Sequence, residues 1–217
     1  MKYKKLIICC DGGGASGKST GAKLISKKFK LNLLNSGLLY RWAAKLIIEK
    51  KPKNKVSFLK KKFLNLNYKS IVKLNLHTQD ISNLSAIIAK QKKIRLILKL
   101  FQKKFAKKYK KVCIEGRDIG TVILPRADIK FFFKCDLNTA AKRRFKELKK
   151  SGRILKLSQI KKSLKIRNYR DISRKNSPLL KSRDAIIVDT GKLNNIPDMV
   201  KLMSKIIEKK INRKYGS

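Results

Sequence analysis

Leu6-Ile7-Ile8-Cys9-Cys10-Asp11-Gly12-Gly13-Gly14-Ala15-Ser16-Gly17-Lys18-Ser19-Thr20 decides the fold. A short apolar run bounded by a turn reads as a buried strand. Glycine costs backbone entropy on folding, so this cluster directly after a strand implies a turn where backbone comes close to something. Gly12-x-x-x-x-Gly17-Lys18-Ser19 matches G-x-x-x-x-G-K-[ST], and it lies between a strand and a helix, as that pattern requires. Backbone N–H groups of Gly12, Gly13, Gly14, Ala15, Ser16 and Gly17 would form a nest for anions. The helix starting near Gly17 adds its positive end. Lys18 would reach the β- and γ-phosphates, and Ser19 or Thr20 would turn a hydroxyl toward Mg²⁺. The loop implies a nucleoside triphosphate and leaves the second substrate open.

Working outward, five apolar segments read as buried strands: 6–10, 31–35, 112–115, 129–135 and 185–189. Their near-continuous apolar character fits parallel strands covered on both faces. Helical patterns separate them at about 17–29, 37–50, 81–107, 137–150, 157–175 and 195–212. This alternation predicts an α/β fold with a doubly wound sheet. From Pro52 to about Asp80 the pattern is less regular, with alternating pieces such as "SIVKLNLHT", and a small insert is expected there.

The composition sets limits. A chain of 217 residues with 42% hydrophobic content can bury a proper core. Lys and Arg number 58 against 13 Asp and Glu, a formal charge of +45. The excess is spread along the chain, which reads as compositional bias, with weak, salt-sensitive RNA binding as a side effect. No apolar stretch approaches the roughly 20 residues that span a bilayer. Asp11 and the glycines interrupt the first apolar run too early for a signal peptide, so a cytoplasmic protein is expected. Cys9, Cys10, Cys113 and Cys135 lack metal-ligand spacing and read as reduced core thiols.

Three further clusters follow strands, where sheets of this kind bind ligands. In Asn35-Ser36-Gly37-Leu38-Leu39-Tyr40-Arg41, Ser36 or Asn35 can cap a helix and Arg41 can face a phosphate. Tyr40 and Trp42 read as packing residues. In Glu115-Gly116-Arg117-Asp118-Ile119-Gly120-Thr121, Arg117 and Asp118 either stabilise the loop or offer a phosphate clamp beside a carboxylate acceptor. The third cluster holds Arg143 and Arg144, then Arg167, Arg170, Asp171 and Arg174, the last four at helical spacing. Arginines in a lysine-biased chain suit phosphate and ribose recognition.

Read in order, "DGGGASGKST", "NSGLLYR", "KIR", "EGRDIGT", "AAKRRFKEL", "IRNYRDISRKNSPLL" and "RDAIIVDT" resemble the bacterial cytidylate kinases, a family of nucleoside monophosphate kinases, along essentially the whole chain. The resemblance implies a P-loop kinase with a five-stranded parallel sheet covered by helices, a small monophosphate-binding insert and a helical lid. It implies a single domain over 1–217, with core segments 1–50, 108–136 and 176–217, the insert at about 51–107 and the lid at about 137–175.

The resemblance further implies ATP-dependent phosphorylation of CMP and dCMP, with UMP poorer, by a Mg²⁺-assisted monomer. Ser36, Arg41, Arg117 and Arg174 would hold the acceptor phosphate. Asp118 and Arg95 would read cytosine, and Arg167 and Asp171 would take the sugar. Arg143 and Arg144 would serve ATP, and Arg170 would join Lys18, Arg117 and Arg174 around the transferring phosphoryl group. Ser19 is the expected Mg²⁺ ligand, with Asp11 acting through a water. The chain departs from the family pattern at Asn35 and Asn168, each in place of Asp, and at Ala86, in place of a cytosine-binding serine. The insert is also shorter than usual. The alternatives are a kinase of another small acceptor, a basic RNA-binding protein with a vestigial loop, and a P-loop switch protein.

Overall fold

A computed structural model describes residues 3–150, 152 and 155–215. Positions 151, 153 and 154 of the expected lid, and the outermost residues of the expected core, lie outside the described residues. The strands are β1 (Leu6–Gly12), β2 (Asn32–Asn35), β3 (Lys111–Gly116), β4 (Ile129–Lys134) and β5 (Ile186–Asp189). The helices are α1 (Lys18–Lys28), α2 (Ser36–Lys50), α3 (Lys55–Leu64), α4 (Tyr68–Val72), α5 (Gln79–Ile88), α6 (Lys92–Tyr109), α7 (Leu137–Lys150), α8 (Leu157–Ser173) and α9 (Ile196–Tyr215). The five strands form one parallel sheet in the order β2-β3-β1-β4-β5.

Contacts divide the chain into two compact units. One joins Met1–Leu33 with Lys111–Ser217, and the other is Leu34–Lys110. In the first unit β1 is central, with Asp11 level with Gly116 of β3 and Gly12 level with Phe133 of β4. The phosphate-loop pattern and the Gly116-Arg117-Asp118 turn therefore leave the sheet at the same edge. Ile8, Cys10, Phe131, Phe133 and Val188 pack against Ala22 and Ile25 of α1 and Met199, Met203, Ile207 and Ile211 of α9. Helix α1 approaches so closely that a Cβ on Gly21 would lie 2.8 Å from the Phe133 ring. That contact fixes the loop's helix onto β4. Cys9, Cys10 and Cys113 are buried, and all four cysteines are free thiols.

The Leu34–Lys110 unit is helical and departs from the expected pattern twice. The stretch after Pro52 is not irregular: it forms α3 and α4. Asn54 caps α3 by accepting from Val56 N and Ser57 N, and Leu59 and Phe63 form its buried face. The alternation in "SIVKLNLHT" is misleading, because Ile71 and Leu76 are buried while Val72 and Leu74 are exposed. The helix expected over 81–107 is two helices, broken at 89–91. No Gly or Pro marks that break, but Arg95 Nη1 donates to the Ala89 carbonyl at 3.1 Å and satisfies the end of α5. Trp42 packs edge-on against Phe63, with ring centroids 4.9 Å apart. Among the described residues no helix is long and apolar enough to cross a membrane.

Candidate active site

The loop from Gly12 to Ser16 closes on itself. Ser16 Oγ and Lys18 Nζ each donate to the Gly13 carbonyl at 3.0 Å. Gly17 enters α1 at φ +82°, a left-handed conformation that L side chains rarely adopt. Thr190, just past β5, donates its hydroxyl to the Ser16 carbonyl at 3.0 Å, and its methyl fills the space beside Gly17. Thr190 is thus a loop-supporting residue that the motif did not reveal; only its place after an apolar strand hinted at it.

Lys18 is buried, and its amine titrates far below the usual lysine range, at about 7. Burial is the largest cause and the nearby Arg117 charge adds to it, while Glu115 opposes them. Ser19 Oγ donates to Glu115 Oε2 at 2.5 Å. Glu115 is itself buried at the end of β3, and it is the second functional residue that sequence reasoning passed over. Its signal was an acid closing an apolar strand. A hydroxyl and a carboxylate side by side are hard oxygen donors, the chemistry Mg²⁺ prefers. Among the described residues no group of three or more His, Cys, Asp or Glu could hold a metal, so phosphate oxygens and water would complete such a shell.

Asp11 ties two segments together. Its two carboxylate oxygens accept from Ile119 N at 2.9 Å and Gly120 N at 2.7 Å. This pins a π-helical turn, Ile119–Ile123, onto the end of β1. Burial raises the Asp11 pKa to about 6, with the two backbone hydrogen bonds acting against the rise.

Arg117 and Asp118, adjacent in sequence, do not pair with each other but reach across to α8 and the residue after it. Arg117 Nε donates to Asp171 Oδ2 at 2.7 Å. Arg174 lies 3.7 Å from Asp118 Oδ1 and 3.7 Å from Asp171 Oδ1. Burial works against ionisation of Asp171, but Arg117, Arg167 and Arg174 overcome it and hold its pKa below the usual value. The result is a partly buried cluster of alternating charge around two arginine forks, with Arg174 also donating to the Ser177 carbonyl at 2.5 Å.

The other arginines expected at the site divide. Arg143 is committed to Thr190, donating to its hydroxyl and its carbonyl at 2.8 Å each. Arg144 pairs with Glu147 on the surface at 3.0 Å, and Arg167 and Arg170 are exposed on α8. Arg143 thereby braces the loop through Thr190.

In the Leu34–Lys110 unit, Asn35 is the residue that caps α2, accepting from Leu38 N at 3.2 Å. Ser36 is the buried first residue of that helix. Arg41 donates to the Leu76 carbonyl at 3.1 Å and to Ser82 Oγ at 2.7 Å. Arg95 is buried, with its guanidinium 5.7 Å from the Tyr40 ring centroid. Ala86 is exposed, and Ser85 donates its hydroxyl to the Ser82 carbonyl.

A glycine nest ending a central parallel strand, a buried lysine and fixed arginine forks at the same sheet edge are the build of a P-loop kinase. The sequence profile of the family described as Cytidylate kinase matches residues 8–209. A cytidylate kinase of Bartonella tribocorum is 36% identical over 196 residues, covering 88% of this chain and 89% of that protein. One of Mesomycoplasma hyopneumoniae strain 7448 is 34% identical over 227 residues, covering 98% of each. The crystal structure of an uncharacterized protein from Eubacterium ventriosum shares the fold, with a TM-score of 0.56 at 18% identity over 95% of this chain and 99% of that one. The chain belongs to the cytidylate kinase family.

Proposed function

We propose that the protein transfers the γ-phosphoryl group of ATP to CMP and dCMP. The observation that carries this reading is the buried Lys18 in a closed glycine loop, with the Ser19–Glu115 pair and the Arg117–Asp171 pair close by. Phosphoryl transfer asks a protein for positioning and charge stabilisation more than for covalent chemistry. The loop N–H groups and Lys18 would bind the polyphosphate. Ser19 and Glu115 would hold Mg²⁺, which when bound neutralises charge on the phosphoryl oxygens. Arg117 and Arg174, already oriented by Asp171 and Asp118, would hold the acceptor phosphate in line for attack.

Ser36, Arg41 and Arg95 are the residues of the helical unit that the family pattern assigns to CMP. Asp118 and Arg95 would read the base, and Arg167 and Asp171 would take the sugar. Helices α7 and α8, with Arg170, would act as the lid that excludes water. The acceptor phosphate is already an anion, so no general base is required.

The test is an acceptor panel with Mg²⁺ and ATP: CMP, dCMP, UMP and AMP assayed side by side. CMP and dCMP should turn over fastest, with UMP slower. A preference for AMP would move the protein to another acceptor. No turnover with any acceptor, together with steeply salt-dependent RNA affinity, would favour the RNA-binding alternative.

A further inference from the structure

We propose that Asn168 is a positioning residue whose side-chain amide latches α8 onto the tip of the phosphate loop. The inference rests on the phosphoryl-transfer reading of that loop. Asn168 Oδ1 accepts from Gly14 N at 2.9 Å. A Cβ on Gly13 would lie 3.2 Å from the same oxygen, and a Cβ on Gly14 would lie 3.0 Å from Leu164 Cδ2. Leu164 and Asn168 are one helical turn apart on one face of α8. Asp171, three residues further, continues that face and takes Arg117.

One stripe of α8 therefore touches the loop tip and the turn after β3 together. The glycines at 13 and 14 have a second use beyond phosphate access: they leave room for this helix. A loop N–H needs an acceptor, and Asn168 Oδ1 supplies one. Through this bond Arg167, Asp171 and Arg174 are carried with the loop as one piece. The position needs an acceptor oxygen at that reach, so an aspartate should serve the latch where an alanine cannot.

The experiment uses the full chain with Asn168→Ala and Asn168→Asp. Two readouts are taken: hydrogen exchange at the Gly14 amide, and steady-state CMP phosphorylation. In Asn168→Ala, Gly14 exchange should speed up about tenfold. Its kcat should fall about tenfold while KM for ATP stays within about twofold and the melting temperature shifts little. Asn168→Asp should restore both Gly14 protection and kcat. Unchanged Gly14 exchange in the alanine variant overturns the latch, as does unchanged kcat or a failure of aspartate to restore either quantity. Should the unsubstituted protein phosphorylate no acceptor, the functional reading falls, and the exchange measurement still decides whether the latch exists.

Discussion

The two compact units hold their key cations in different ways. In the unit carrying the phosphate loop, Arg117 donates to the Asp171 carboxylate, and Arg174 donates to the Ser177 carbonyl at 2.5 Å with the Asp118 and Asp171 carboxylates 3.7 Å away. In the helical unit, Arg41 donates to the Leu76 carbonyl and the Ser82 hydroxyl, and Arg95 donates to the Ala89 carbonyl. A carboxylate fixes a fork by charge and shape, leaving the rest of the guanidinium aimed outward. A carbonyl fixes it only where the tertiary fold delivers that peptide. The first unit thus sets carboxylates beside its arginines, and the second sets peptide carbonyls and a hydroxyl beside its own.

The largest expected effect sharpens the first half of that contrast. Lys18→Ala should remove phosphoryl transfer by about a thousandfold or more while the protein stays folded. Rapid-quench measurement of CDP formation checks it, and transfer at the unsubstituted rate would break the mechanism.

A pH effect comes next. With its pKa lowered to about 7 by burial, Lys18 is neutral in the free protein above that pH. A bound polyphosphate favours the protonated amine, so ATP binding should take up a proton. Affinity should then fall as pH rises above about 7, by up to about tenfold per pH unit. Calorimetric titration of Mg-ATP in two buffers of different ionisation enthalpy should show uptake approaching one proton per ATP near pH 8.5. Lys18→Ala should lose that uptake. If both proteins behave alike, the proton belongs to another group.

The smallest effect belongs to the helical unit. Asn54→Ala removes the side-chain cap of α3. It should cost about 1 kcal/mol of stability by denaturant melting and leave kcat for CMP unchanged. A loss of kcat without a loss of stability would mean that this end of the unit takes part in transfer.

The contrast also explains what could be read from the sequence. The core strands were legible because each is a short apolar run closed by glycine or a polar residue, and β1 with its loop carries a pattern that has few other uses. Lys18, Ser19, Arg117 and Arg174 could be named because their motifs fix them relative to a strand end. The pairing of Arg117 with Asp171, 54 positions away, could not be read, since adjacency favoured Asp118. Glu115 and Thr190 were missed because a single acid or threonine after a strand has no distinctive spacing; only the sheet register brings them beside the loop. Helices α3 and α4 were missed because lysines and asparagines blurred the apolar period. The break between α5 and α6 was missed because no Gly or Pro marks it: Gln91 is extended there, and Arg95 donates to the Ala89 carbonyl.

On the proposed mechanism, Arg117 and Arg174 place an acceptor phosphate for attack where the loop leaves the sheet. The most direct measurement is CDP formation from CMP and Mg-ATP by the unsubstituted protein, Arg117→Ala and Arg117→Lys. The unsubstituted protein should form CDP readily. Arg117→Ala should be slower by about a hundredfold, and lysine should not restore the rate because it cannot reproduce the fork. Full activity in Arg117→Ala, with the protein folded, would contradict the account.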